Sequence, residues 1–354
     1  MPVNATLKSP LFEHAQALGA HFLERDGVLV PGDYGAVRAE HAALRERAAV
    51  IDLAHFGALR VRGRDRVAWL HKLTTANVQS LAEGAGNYAL LLNAKGHVVA
   101  DFVLVVRHEQ DGLLLYTTRG AIGKLRANLR RAIFREQVAL EDTGESVVIM
   151  SVQGLNAAQG IAGTLGSLPP LEPFRSAQVD QLLVVRHPRA DGDGFDLLAP
   201  RERAVELWDA LVGQGIRPAG LEALNIARIE AGIPWYADDF DETMLAPEAR
   251  LDRYIAENKG CYTGQEVIAR IKNLGHVNRL LTRFQVQGEA VPDRGDLIFA
   301  EDREVGWVTS AVYSFARQAP LAFGYIRREW AEVATNVQIA RGAVRLNATV
   351  IPTP

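Results

Sequence analysis

The stretch NYALLLNAKGHVVADFVLVVR, residues 87–107, decides how the first part of the chain folds. It holds two strand-sized apolar runs, and the Asn93-Ala-Lys-Gly96 segment between them reads as a turn, because Asn and Gly tolerate the left-handed backbone that a reversal demands. Working outward, GLLLYTT (112–118) reads as a third strand and ALRVRG (58–63) as one that precedes the pair. RDRVAWLHKL (64–73) has apolar residues at helical spacing with Asp65 as its cap, and AIGKLRANLRRAIF (121–134) is a basic amphipathic helix. VVIMSVQ (147–153) ends the run as another strand. Strand, helix, hairpin, helix, strand is the succession of a ferredoxin-like α+β unit.

After a segment rich in Gly and Pro (163–173), a candidate domain boundary or crossover, the order partly repeats with the strands QLLVVRH (181–187) and GFDLLAP (194–200) and the helix ERAVELWDALVGQG (202–215). From about Arg279 the sequence alternates in short strands, RFQVQG, EVGWVTSAV and LAFGYI, which predict a small antiparallel barrel or sandwich. The expected division is residues 1–160 as an α+β unit with an amino-terminal extension, 161–278 as a second α+β unit and 279–354 as the barrel.

Composition narrows the function classes. The chain has 354 residues, 48% of them hydrophobic and 23% charged, which suits two or three globular domains. Its longest apolar runs, such as FVLVV (102–106), fall far short of the roughly 20 residues of a membrane helix. The amino terminus has no basic segment leading into an apolar one, so a cytoplasmic protein without a membrane partner is expected. A net charge of −3 argues against broad nucleic-acid binding. The histidines lack HExxH spacing, so no metal site is expected, and one cysteine excludes both an intrachain disulfide and a four-cysteine cluster.

That cysteine, Cys261, lies in NKGCYTGQEV (258–267). TGQE (263–266) has the form of a capping box, with Thr263 accepting from a first-turn NH and Glu266 reaching back, and Val267, Ile268 and Ile271 follow at helical spacing. Cys261 would then stand beside Lys259 just ahead of a helix amino terminus, whose dipole favours an anion. Gly260 and Gly264 would leave room for a partner to approach the sulfur. A packed and inert cysteine fits the same residues equally well.

The run Lys259-Gly260-Cys261-Tyr262-Thr263-Gly264-Gln265-Glu266 resembles the K-G-C-Y-x-G-Q-E signature of the YgfZ-type folate-binding proteins, which support iron–sulfur enzymes including tRNA methylthiolases. EHAALRERAAVIDLAHFGALRVRGRD (40–65), LTTANVQSLAEGAGNYALLLNAKGHVVADFVLV (73–105) and RIEAGIPWYADDFDETMLAPEA (228–249) are similar to the wider superfamily of the glycine-cleavage T-protein, a tetrahydrofolate-dependent aminomethyltransferase. The resemblance implies an α+β fold of two ferredoxin-like units plus a carboxy-terminal antiparallel β-barrel around a central folate-binding hole. It also implies tetrahydrofolate as the cofactor, Asp101 beside the reacting folate nitrogens with Tyr88 near it, Asp196 as the acid that holds the pterin ring, and Arg228 as a further folate contact.

Two departures stand out against the T-proteins: Arg189, in PRADGDGFD, replaces a tyrosine, and Cys261 supplies a thiol where they have none. The function expected on this basis is a folate-binding protein that supports assembly or repair of iron–sulfur enzymes through a reactive thiol at Cys261, with those enzymes or their assembly factors as partners. The alternative is an aminomethyltransferase in which Asp101 orients or deprotonates the amine.

Overall fold

The computed structural model describes residues 6–107 and 112–353; residues 1–5, where the amino-terminal extension begins, lie outside the described residues. The first part of the chain runs β1 (Leu7–Lys8), α1 (Phe12–Ala17), β2 (His21–Arg25), β3 (Val28–Asp33), α2 (Val37–Glu46), β4 (Ala49–Asp52), β5 (Phe56–Arg62) and α3 (Arg66–Leu73). It continues through β6 (Gly86–Leu92), β7 (Val98–Arg107), β8 (Gly112–Thr118), α4 (Arg119–Arg131), β9 (Ala139–Asp142), β10 (Val147–Gln153) and α5 (Ala157–Leu165). Then come β11 (Ser176–Val179), β12 (Leu182–Arg186), β13 (Gly194–Pro200), α6 (Ala204–Gly213), β14 (Arg217–Pro218), α7 (Leu221–Ala231) and α8 (Gln265–Leu274). The strands β15 (Arg279–Val286), β16 (Leu297–Ala300), β17 (Arg303–Ser314), β18 (Ala319–Arg327), β19 (Asn336–Arg341) and β20 (Val344–Ile351) complete the chain.

Contacts divide the chain into two compact units, Met1–Ala89 with Asp101–Leu224, and Leu90–Ala100 with Asn225–Pro354. The first unit is built on two sheets. One has the order β6-β7-β8-β5-β9, the ferredoxin-like arrangement read from the sequence with β6 added at its edge. The other has the order β11-β12-β13-β10-β4-β14. The strand VVIMSVQ, grouped in the sequence with the first sheet, pairs antiparallel to β13 and β4 in the second, and the four residues of β9 take the place beside β5 instead. A strand contributed from sequence positions before β5 therefore completes a sheet whose other members follow β9. Periodicity cannot reveal that pairing, because it records which face a residue occupies and not which strand lies alongside.

Alternation in β10 and β13 decides where chemistry can occur. Val148, Met150 and Val152 with Phe195, Leu197 and Ala199 enter one buried core together with Trp208 and Leu211 of α6 and Ile161 of α5. Successive residues of a strand point to opposite faces, so Ser151, Gln153 and Asp196 are carried on the other side. Ser151 and Asp196 are direct cross-strand partners in this ladder.

The second unit contains a closed barrel of order β15-β18-β17-β16-β19-β20. Its core takes alternate residues, such as Phe284 and Val286, Val337 and Ile339, and Leu346, Ala348 and Val350. The tip of the β6–β7 hairpin also belongs to this unit. Gly264 shows why a glycine is needed there: at φ +83° a Cβ on it would lie 2.6 Å from the Asn93 carbonyl oxygen, and one on Gly96 would meet Val267 at 3.2 Å. Among the described residues no helix is long and apolar enough to cross a membrane.

Two expected caps are not formed. Gly264, not Thr263, is the N-cap of α8, no side chain caps the helix, and Gln265 Oε1 accepts from the Tyr262 NH at 3.2 Å. The Asp65 carboxylate accepts from the Gln137 NH at 2.7 Å and leaves α3 uncapped. In both cases a close approach by another part of the chain outweighs a local preference worth about 1 kcal/mol.

Candidate functional site

Tyr88 on β6 and Asp101 on β7 meet as the sequence suggested: the Tyr88 hydroxyl donates to Asp101 Oδ2, and Thr117 on β8 donates to Oδ1 at 3.4 Å. Both Tyr88 and Asp101 are half-buried. Burial raises the Asp101 carboxyl above its ordinary value, opposed by the Tyr88 and Thr117 hydrogen bonds and by the nearby Arg189 charge. The result is a carboxylate that is a stronger base than an exposed one.

Asp196, on the same unit, is fully buried and saturated. Oδ1 accepts from Arg189 Nε at 2.9 Å and Ser151 Oγ at 2.8 Å, while Oδ2 accepts from Arg189 Nη2 at 2.8 Å, His187 Nδ1 at 2.9 Å and Tyr116 Oη at 2.9 Å. Burial alone would raise this carboxyl, but the Arg189 guanidinium and His187 outweigh it and hold Asp196 well below the ordinary carboxylate range. Since the carboxylate only accepts, His187 carries its proton on Nδ1. Burial and the Arg189 charge lower the His187 pKa, so the imidazole is neutral near pH 7.

Gln153 finishes the frame. Its Oε1 accepts from the Arg189 backbone NH at 2.8 Å, and its Nε2 donates to Ser151 Oγ and to the His187 carbonyl. Above this polar floor three aromatic rings cluster: Tyr88 lies 6.2 Å from Phe174 and 6.3 Å from His187, and Phe174 lies 5.3 Å from His187, centroid to centroid. The Arg189 guanidinium rests 4.6 Å from the centre of the Phe56 ring. Tyr88, Asp101 and Asp196 thus belong to one cluster in the first unit.

Arg228 and the cysteine motif belong to the second unit. Arg228 is buried and pairs with Asp239 through Nη1, donates from Nε to Asn225 Oδ1 at 2.9 Å, and stacks 4.8 Å from Trp235. Asp239 also accepts from the Trp235 NH at 3.0 Å, Thr309 Oγ1 at 2.8 Å and Ser310 Oγ at 2.5 Å. These bonds spend Arg228 on joining α7 to the strand β17. Cys261 is exposed, and Lys259 Nζ lies 5.1 Å from the centre of the Tyr262 ring. Burial lowers the Lys259 pKa to about 8. Gly260 and Glu266 are exposed, and Gln265 is occupied by the turn into α8.

Sequence reasoning missed Tyr116, Ser151, Gln153, His187 and Phe174. All but Phe174 lie in runs that read simply as strands. A polar side chain inside a run such as VVIMSVQ or GLLLYTT was the available signal, because buried polar groups need partners.

Comparison with known proteins completes the assignment. Residues 11–259 match the GCVT N-terminal domain and residues 279–354 the glycine cleavage T-protein C-terminal barrel domain. The chain belongs to the glycine cleavage T-protein family. It is 29% identical over 362 residues to a protein of Geobacillus kaustophilus (strain HTA426) named aminomethyltransferase, covering 98% of both chains. A Cutibacterium acnes (strain DSM 16379 / KPA171202) protein of the same name is 28% identical, over 98% of this chain and 97% of that one. The crystal structure of glycine cleavage system aminomethyltransferase T from Bartonella henselae superposes with a TM-score of 0.92 at 23% identity, covering 99% of this chain and 98% of that one. The T-protein fold expected from the sequence is therefore the fold of this chain.

The function expected from the Lys259–Glu266 motif needs correction. Relatives matched over nearly their whole length are named aminomethyltransferase, which supports the alternative over iron–sulfur maintenance, and nothing in the match supports iron–sulfur partners. The likeness at Lys259–Glu266 covers eight residues, whereas the similarity to the aminomethyltransferases runs along 98% of the chain.

Proposed function

We propose that this protein is a tetrahydrofolate-dependent aminomethyltransferase. The observation that carries the reading is Asp101, a half-buried carboxyl with a raised pKa, held by Tyr88 and Thr117 beside a cluster of aromatic rings. Aminomethyl transfer to folate forms a bond at a folate amine nitrogen, and a carboxylate beside that nitrogen can orient it and accept its proton. The Tyr88 and Thr117 hydroxyls hold one carboxylate oxygen each and fix the orientation of the group. The names of the full-length relatives support the same reaction. The rings of Tyr88 and Phe174 offer a surface for a flat heterocycle.

The Lys259–Glu266 run supports a finer placement, near the YgfZ-type branch of the superfamily, with the folate chemistry retained. A single cysteine favours a cytoplasmic setting. The test is an aminomethyl-transfer assay with tetrahydrofolate on wild type and Asp101→Asn. The substitution is expected to lower turnover about 100-fold while leaving the folate Kd within about threefold. Turnover equal to wild type in the folded variant would remove Asp101 from the mechanism.

A further inference from the structure

We propose that Arg189 is a specificity-determining residue, which recognises a hydrogen-bond acceptor on the edge of the bound heterocycle. The inference rests on the folate reading above and deepens it.

Asp196 has no acceptor capacity to spare. Five donors converge on its two oxygens, and two of them come from Arg189. A ligand amine or ring NH that sought this carboxylate would have to displace a guanidinium bound through two parallel hydrogen bonds, the strongest side-chain arrangement available to a carboxylate. The acid is therefore a counter-ion that holds the arginine, and the arginine is what faces outward. Nε and Nη2 are spent on Asp196, whereas Nη1 has no partner among the described residues and is not sealed in the interior. The rest of the side chain is immobilised: it is 7% exposed, lies against Phe56, and its backbone NH is tied to Gln153.

A rigid guanidinium with one nitrogen left over is a donor only; it has no acceptor to offer. Next to it, His187 contributes to the ring cluster with Tyr88 and Phe174, which suits a flat heterocycle rather than a flexible anion. The chemistry recognised is thus an oxo group on a heteroaromatic ring. For a folate this is the oxo oxygen of the pteridine, and an analogue with an amino group in that position would set donor against donor.

The experiment measures equilibrium binding of 5-formyltetrahydrofolate and of its counterpart carrying an amino group in place of the ring oxo. Wild type, Arg189→Gln and Arg189→Lys are compared, with circular dichroism as the check on folding. Wild type is expected to favour the oxo compound about tenfold or more, the worth of one charge-assisted hydrogen bond. In Arg189→Gln the preference should fall to near unity, because the amide can donate to one compound and accept from the other. Arg189→Lys keeps the charge that Asp196 needs but has no second nitrogen to turn outward, so it should fold and lose the preference as well; it decides the matter if the glutamine variant does not fold. A preference unchanged in a folded variant would overturn the proposal and leave Arg189 as packing for Asp196. Failure of wild type to bind either compound would instead overturn the folate reading, and this inference with it.

Discussion

The Tyr88 hydroxyl donates a hydrogen bond to Oδ2 of Asp101, so the side chain with the most suitable chemistry for proton transfer is oriented by a residue from the neighbouring strand of the same hairpin. The bond stabilises the ionised carboxylate against a burial that disfavours it. Tyr88→Phe should therefore raise the Asp101 pKa further, and the acidic limb of the transfer rate profile should move to higher pH. The same limb should vanish in Asp101→Asn. An acidic limb that stays in place in Tyr88→Phe would mean another group sets it.

Asp52 makes stability depend on pH. It is buried on β4, its Oδ1 accepts from the Ala54 NH at 2.9 Å, and Oδ2 makes no hydrogen bond among the described residues. Burial pushes its carboxyl from 3.8 up to about 6. Between those values the folded chain holds a proton that the unfolded chain releases, so the favourable contribution is complete below about pH 4 and lost as pH rises through about 6. Two pKa units correspond to about 3 kcal/mol. Urea midpoints taken at pH 5 and pH 7.5 should differ less in Asp52→Asn than in wild type; equal differences would exclude Asp52 as the source.

Arg228 and Asp239 form a buried ion pair that ties α7 to the barrel strand β17. Asp239→Ala leaves the guanidinium without its counter-ion and should cost about 3–5 kcal/mol, read by chemical denaturation. A loss below about 1 kcal/mol would show that the pair is solvated in solution.

Gly264 and Cys261 stand three positions apart in one motif, and substitutions at the two should behave in opposite ways. Gly264→Ala puts a Cβ 2.6 Å from the Asn93 carbonyl oxygen at a positive φ and should destabilise by about 1–3 kcal/mol. Cys261→Ser changes an exposed atom and should stay within about 0.5 kcal/mol of wild type, with folate binding unaltered. A large loss of stability in Cys261→Ser would reveal a packing role for the sulfur.

The proximity of Asp101 and Tyr88 is the part of the candidate site that the resemblance implies from the sequence. Asp101 and Tyr88 lie on adjacent strands of one hairpin, and the Asn-Ala-Lys-Gly turn between them brings the strands together. Asp196 and Arg189 both stand out in the sequence, but their pairing depends on the path of the chain between β12 and β13. The resemblance implies a folate contact for Arg228; in the structure its guanidinium also bonds to Asn225, Ile233 and Asp239 of its own unit. The motif around Cys261 was read as a capping box, but the approach of the Asn93–Gly96 turn settles the backbone there.

By itself the sequence determined β5 to β8, β10, β12 and β13 with α3, α4 and α6, the reversal at residues 93–96, and the short antiparallel strands at the end of the chain. These follow from period and turn chemistry within short windows. Tertiary structure alone decided that β4 joins β10, that Tyr116 reaches Asp196 from 80 residues away, and that Arg189 turns an acidic position into a donor edge. A buried charge takes whichever partner the folded chain brings within about 3 Å, and no local window of sequence records that distance.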